Sequence, residues 1–119
     1  MRLAAALVAA LVLVSAAAAK DGVLATITSR VPMQATVGTK FVVAFTLKDA
    51  QGHPFNAEHV FVKVICPERD VTTIAFASRA AHPTGRYRVV ATVPAGGIGT
   101  VRIGLRGSSD VYFPVRRIR

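Results

Sequence analysis

Lys40-Phe41-Val42-Val43-Ala44-Phe45-Thr46-Leu47-Lys48 sets Phe41, Val43, Phe45 and Leu47 on one side of an extended backbone, and Val42, Ala44, Thr46 and Lys48 on the other. Successive side chains of a strand point to opposite faces, so this two-residue period reads as a strand with one apolar face and one wetter face. No apolar pattern at the 3.6-residue spacing of a helix runs for a useful length in residues 20–119, whereas period-two segments recur throughout.

Upstream, residues 23–30 read as a strand that buries Val23, Ala25 and Ile27, and Pro32 ends it or confines it to an edge. Downstream, Asp49-Ala50-Gln51-Gly52 is a turn that His53-Pro54 prolongs. Residues 59–65 then bury Val60, Val62 and Val64, and Cys66-Pro67-Glu68-Arg69-Asp70 is a loop. Residues 71–78 alternate more weakly, with Ile74 and Phe76 expected inward. After the turn at His82-Pro83-Thr84-Gly85, residues 86–93 point Tyr87, Val89, Ala91 and Val93 inward and Arg86, Arg88, Val90 and Thr92 outward. Pro94-Ala95-Gly96-Gly97 reads as the turn of a hairpin into residues 100–106, which bury Val101, Ile103 and Leu105. A last strand, 111–115, holds Pro114 and is expected at an edge. About seven short antiparallel strands with turns at near-regular spacing predict an all-β, immunoglobulin-like β-sandwich.

The first nineteen residues differ in kind. Arg2 supplies a positive start, Leu3 to Val14 an apolar run and Ser15 to Ala19 a small-residue tail, the three parts of a secretory signal peptide. Residues 1–19 are therefore expected to be a cleaved leader and 20–119 a single domain, secreted or periplasmic, with no stable membrane span after cleavage. A retained anchor is the rival reading, but the run is short and alanine-rich against the ~20 residues a span needs. The chain carries 15 Lys and Arg against 6 Asp and Glu, a net charge of +9, of which only Arg2 belongs to the leader. Cys66 is the single cysteine, so the domain must hold by packing and not by an internal disulfide.

Residues 84–94, Thr-Gly-Arg-Tyr-Arg-Val-Val-Ala-Thr-Val-Pro, resemble the strand that carries the tyrosine corner in immunoglobulin-like domains, where Gly-x-Tyr stands at the strand entrance. With the glycine turn and the apolar, glycine-containing strand that follow, residues 84–105 also look like bacterial exported sandwich domains of the YtkA and FixH sort. The resemblance implies an exported sandwich. Pro83 stands where the fuller pattern has aspartate, Val89 where antibody-type domains place a cysteine, and the chain has no tryptophan. Copper-binding relatives of the CopC family carry a histidine near the mature N-terminus, where this chain reads Lys20-Asp21-Gly22.

Catalytic chemistry finds little material. Nucleophilic catalysis needs a base beside the nucleophile, and Cys66 with His59 or His82 is the one thiol pair to consider. Asp49, Glu58, Glu68, Asp70 and Asp110 fall in or beside turns, which explains them. His53, His59, His82, Cys66 and Met33 are the soft-ligand inventory, without the short spacing of zinc or copper motifs. The glycines at 96, 97 and 99 precede a strand and not the helix that a phosphate-cradling loop requires. No catalytic residue, metal ligand or cofactor is assigned.

The arginines carry the remaining signal. Arg86 and Arg88 face outward on one strand, and Arg102 and Arg106 outward on the next. A hairpin joining the two strands would present all four as one patch, with Arg116, Arg117 and Arg119 as a basic tail. Such a patch grips carboxylate or phosphate groups. The expected function is a non-catalytic exported binding or accessory domain that contacts an unidentified partner protein or an anionic envelope component. Nucleic acid is not expected, given export and outward positions without aromatics to stack bases. The alternative is a periplasmic copper carrier or chaperone using His53, His59 and Met33.

Overall fold

The computed structural model describes residues 22–68, 70–78 and 84–117; the leader, Lys20, Arg69, His82 and Arg119 lie outside them. Within the described residues the elements are β1 (Leu24–Ile27), β2 (Lys40–Lys48), β3 (Val60–Ile65), β4 (Thr72–Phe76), β5 (Arg86–Thr92), β6 (Thr100–Leu105), β7 (Val111–Tyr112) and β8 (Val115–Arg117). They form two four-stranded sheets, one in the order β5-β2-β1-β8 and the other β4-β3-β6-β7. The fold is the all-β, immunoglobulin-like sandwich that the period-two pattern predicts.

The alternating apolar positions fill the space between the sheets. Ala25, Ile27, Phe41, Val43, Phe45, Leu47, Val60, Val62, Val64, Tyr87, Val89, Ala91, Val101 and Ile103 are all buried, and no polar or charged side chain is buried among the described residues. Each buried Val, Ile, Leu or Phe stabilises the fold by roughly 1.5–3 kcal/mol relative to exposure, so this face decides which way every strand points. Leu105 is half-buried and packs on the same cluster.

Three expectations change. The segment 86–106 is not a hairpin: β5 pairs with β2, and β6 pairs with β3 in the opposite sheet. The connection between them is pinned at both ends. The Val93 N–H donates to the Thr39 carbonyl on the first sheet, and the Gly99 N–H donates to the Ile65 carbonyl on the second. Buried Val93 and Ile98 hold the crossing across the end of the core.

β4 is also turned over. Its register sets Ala75 opposite Val62 and Thr73 opposite Val64, both inward, so Ile74 and Phe76 point to solvent and are 42% and 48% exposed. Small residues face inward here because β4 lies close against β5, where the Thr73 hydroxyl donates to the Thr92 carbonyl.

The last strand is two. Pro114 cannot donate to a ladder, and the chain changes sheet there: β7 pairs antiparallel with β6, and β8 pairs parallel with β1. The Ala25 N–H donates to the Pro114 carbonyl at 2.9 Å, which starts the new pairing.

Candidate functional site

Because β5 and β6 belong to opposite sheets, the four arginines divide. Arg86 and Arg88 stand on the outer face of the β5-β2-β1-β8 sheet, whereas Arg102 and Arg106 stand on the far side of the sandwich. The single patch expected from a hairpin does not form, and two different surfaces take its place.

On the first sheet, the register lines up Arg86, Thr46, Thr26 and Arg116 in one outward row across four strands. Adjacent strands lie about 4.8 Å apart, which sets the two guanidinium-bearing residues of the row about 14 Å apart. Arg88 stands beside Ala44 one step along, and Lys48 beside Leu24 at the other end of the face. Two shallow depressions follow the threonines, one lined by Thr28, Thr46 and Arg86, the other by Thr26, Thr46, Lys48 and Arg116. No strand carries a carboxylate among the described residues. Asp49, Glu58, Glu68, Asp70 and Asp110 all lie in connections. Arg106 pairs with Asp110, and His53 Nδ1 stands 3.8 Å from Asp49, so neither of these acids engages this face.

The outer face of the second sheet is aromatic. One row across it reads Phe76, Phe61, Gly104 and Tyr112, and the next Ile74, Lys63 and Arg102. Phe61 is fully buried although it points away from the core, because Phe76 and Tyr112 pack on it with ring centroids 5.8 and 5.7 Å away. Gly104 makes this possible, since a Cβ there would stand 2.7 Å from the Phe61 ring. The Arg102 guanidinium stacks 3.9 Å over Tyr112. Arg106 lies 5.1 Å over both Phe61 and Phe76 and is held in a two-point pair to Asp110, at 3.0 and 3.3 Å. Arg106 is thus engaged within the fold. The expectation that outward positions lack aromatics is corrected: alternation along β3 alone does not reveal that a glycine opposite lets Phe61 seat a ring cluster outside the core.

The Gly-x-Tyr motif forms a clasp between elements. Tyr87 stacks on Phe45, its hydroxyl donates to the Phe55 carbonyl at 2.8 Å, and it accepts from the Ala57 N–H at 2.9 Å. These partners belong to the β2–β3 connection 30 to 32 residues upstream, not to the nearby corner that a tyrosine corner spans. Burial pushes the Tyr87 hydroxyl above its ordinary pKa, and the Ala57 hydrogen bond partly offsets this. Gly85, at φ 67°, bonds Asn56 Oδ1 and lies against Leu47 and Pro54, where a Cβ would come within 2.6 Å of the Leu47 carbonyl oxygen.

The metal-carrier ligands are not brought together. Met33 lies in the connection before β2 and His53 in the one after it, and nine residues of strand separate the two ends by roughly 25–30 Å. Among the described residues no three His, Cys, Asp or Glu side chains cluster as a metal site. Cys66 is buried at the far end of β3 from His59, so these two do not form a thiol–imidazole pair. No helix of the described residues is long and apolar enough to cross a membrane. Comparison with known proteins finds no matching family, no similar curated protein and no similar solved structure.

Proposed function

We propose that this protein is an exported, non-catalytic binding or accessory domain that presents the outer face of the β5-β2-β1-β8 sheet to an anionic envelope component or an acidic partner protein. The observation that carries the reading is the Arg86, Thr46, Thr26, Arg116 row, flanked by Arg88 and Lys48 on strands that bear no carboxylate. Guanidinium groups grip carboxylate or phosphate oxygens with two N–H groups, and threonine hydroxyls between them supply further donors. Exposed charges more than about 8 Å apart are largely screened from one another at physiological salt. The ends of the row therefore act by direct contact with a ligand of several charges rather than as one long-range field. The signal-like leader and the resemblance of residues 84–105 to exported sandwich domains support export.

The test is retention on an immobilised polyanion, such as heparin or long-chain polyphosphate, at rising salt. The parent chain elutes late, and Arg86→Gln/Arg88→Gln/Arg116→Gln elutes much earlier. Changing Arg102 and Arg106 to Gln leaves retention by this face nearly unchanged. Equal elution of parent and triple variant means that the face only solubilises the protein.

A further inference from the structure

The β4-β3-β6-β7 sheet carries cations in a different arrangement from the first sheet. Lys63 and Arg102 are partners on β3 and β6, so their side chains leave the outer face from directly opposite positions, with Cβ atoms about 4.5–5.5 Å apart. Both turn to one phenol. The Arg102 guanidinium stacks 3.9 Å over the Tyr112 ring. Lys63 Nζ lies 5.8 Å from the ring centroid and donates to the Tyr112 hydroxyl oxygen at 3.5 Å. Like charges set directly opposite are destabilising, and the ring face offsets only part of that repulsion.

No counter-charge accompanies the two cations. Their row, Ile74, Lys63 and Arg102, and the rows on either side, Phe76-Phe61-Gly104-Tyr112 and Thr72-Ile65-Thr100, hold no carboxylate. Asp110 is committed to Arg106, and neither Lys63 nor Arg102 forms an ion pair among the described residues. Tyr112 accepts from Lys63 through its oxygen, which leaves its own O–H to donate. An ammonium, a guanidinium and a hydroxyl thus converge, all with hydrogens to offer. Beside them on the same face, Ile74 stands directly opposite Lys63 and Phe76 one step along β4, 42% and 48% exposed.

We infer that the Lys63, Arg102 and Tyr112 cluster binds the headgroup of a small, soluble phosphate monoester, whose apolar body lies on Ile74 and Phe76. A monoester phosphate carries about −1.5 to −2 charges at pH 7 and three strong acceptor oxygens, which match two cations and a hydroxyl. A carboxylate or a phosphodiester brings one charge. Glu58 lines the depression at the Phe76 end, which turns the phosphate toward Lys63 and Arg102 and the body toward Phe76. A bilayer fits less well, because a lipid surface resting on Phe76 would also meet Glu58 beside it. The site lies on the opposite sheet from the row that runs from Arg86 to Arg116, and it stands independently of that reading. Long-chain polyphosphate, whose internal groups carry one charge each, is not a ligand of this kind.

The test is an NMR titration of the full chain with phenyl phosphate at neutral pH and fixed ionic strength. Amide shifts centred on Lys63, Ile74, Arg102 and Tyr112 saturate. Benzoate, with the same ring and one charge, binds at least about tenfold more weakly, because a hydrogen bond to a charged group is worth that much. Lys63→Gln/Arg102→Gln loses the saturable shifts, and Arg88→Gln on the other sheet binds as the parent does. Tyr112→Phe keeps the ring and weakens binding several-fold, a second measurement that does not depend on the double variant, and amide dispersion reports the folding of each. Equal affinity for benzoate and phenyl phosphate overturns the inference. So do shifts centred on Arg86, Arg88 and Arg116 or spread over both sheets, parent-like binding by the folded double variant, or binding only to vesicles of phosphatidic acid. Lys63→Gln/Arg102→Gln leaves retention on the immobilised polyanion nearly unchanged, so the two surfaces succeed or fail separately.

Discussion

The Tyr87 phenol lies on Phe45 and bonds twice to the chain that follows β2, so one side chain fixes both a core ring and a long connection. Tyr87→Phe keeps the ring but leaves the Phe55 carbonyl and the Ala57 N–H without their partner, and is expected to cost about 1–3 kcal/mol in urea unfolding. The same group sets an alkaline limit. Its folded pKa lies above the ordinary 10.0 because burial disfavours the phenolate. Its contribution is therefore fully present below pH 10 and falls as pH rises from there through the folded pKa. The stability difference between parent and Tyr87→Phe should shrink across that window; a difference that stays constant or grows contradicts the assignment. Gly85→Ala forces a Cβ against the Leu47 carbonyl at positive φ and should cost at least about 2 kcal/mol. The motif itself was legible in residues 84–87, but its partners were not, because they lie about thirty residues away and follow from how β5 docks on β2.

At the scale of elements, alternation told which side chains of β1, β2, β3, β5 and β6 enter the core, since burial of one face leaves little freedom of register. It did not tell which sheet a strand joins. Arg86–Thr92 and Thr100–Leu105 alternate alike whether they pair with each other or cross the core, and here they cross. In β4 the larger residues misled, because the narrow space beside β5 takes Thr73 and Ala75 while Ile74 and Phe76 remain outside. Two phenylalanines on one outer face test this register. Phe61→Ala empties a fully buried ring site and should cost about 3–5 kcal/mol. Phe76→Ala removes a ring already half in water and should cost about 1 kcal/mol. Similar losses at both positions would place Phe76 inward after all.

Across the two sheets, the acidic side chains among the described residues lie in connections whereas most of the basic ones stand on strands, so each sheet turns a cationic face outward without internal compensation on the first sheet. Total charge was readable from composition, but its division between two opposite faces depended on the β5–β6 crossing. The most direct test follows amide signals by NMR while the folded protein is titrated with polyphosphate. Shifts concentrated at Thr26, Thr46, Arg86, Arg88 and Arg116, fading as salt rises, are the predicted result. Shifts centred instead on Arg102 and Arg106, or spread evenly over both sheets, would contradict a binding face on β5-β2-β1-β8.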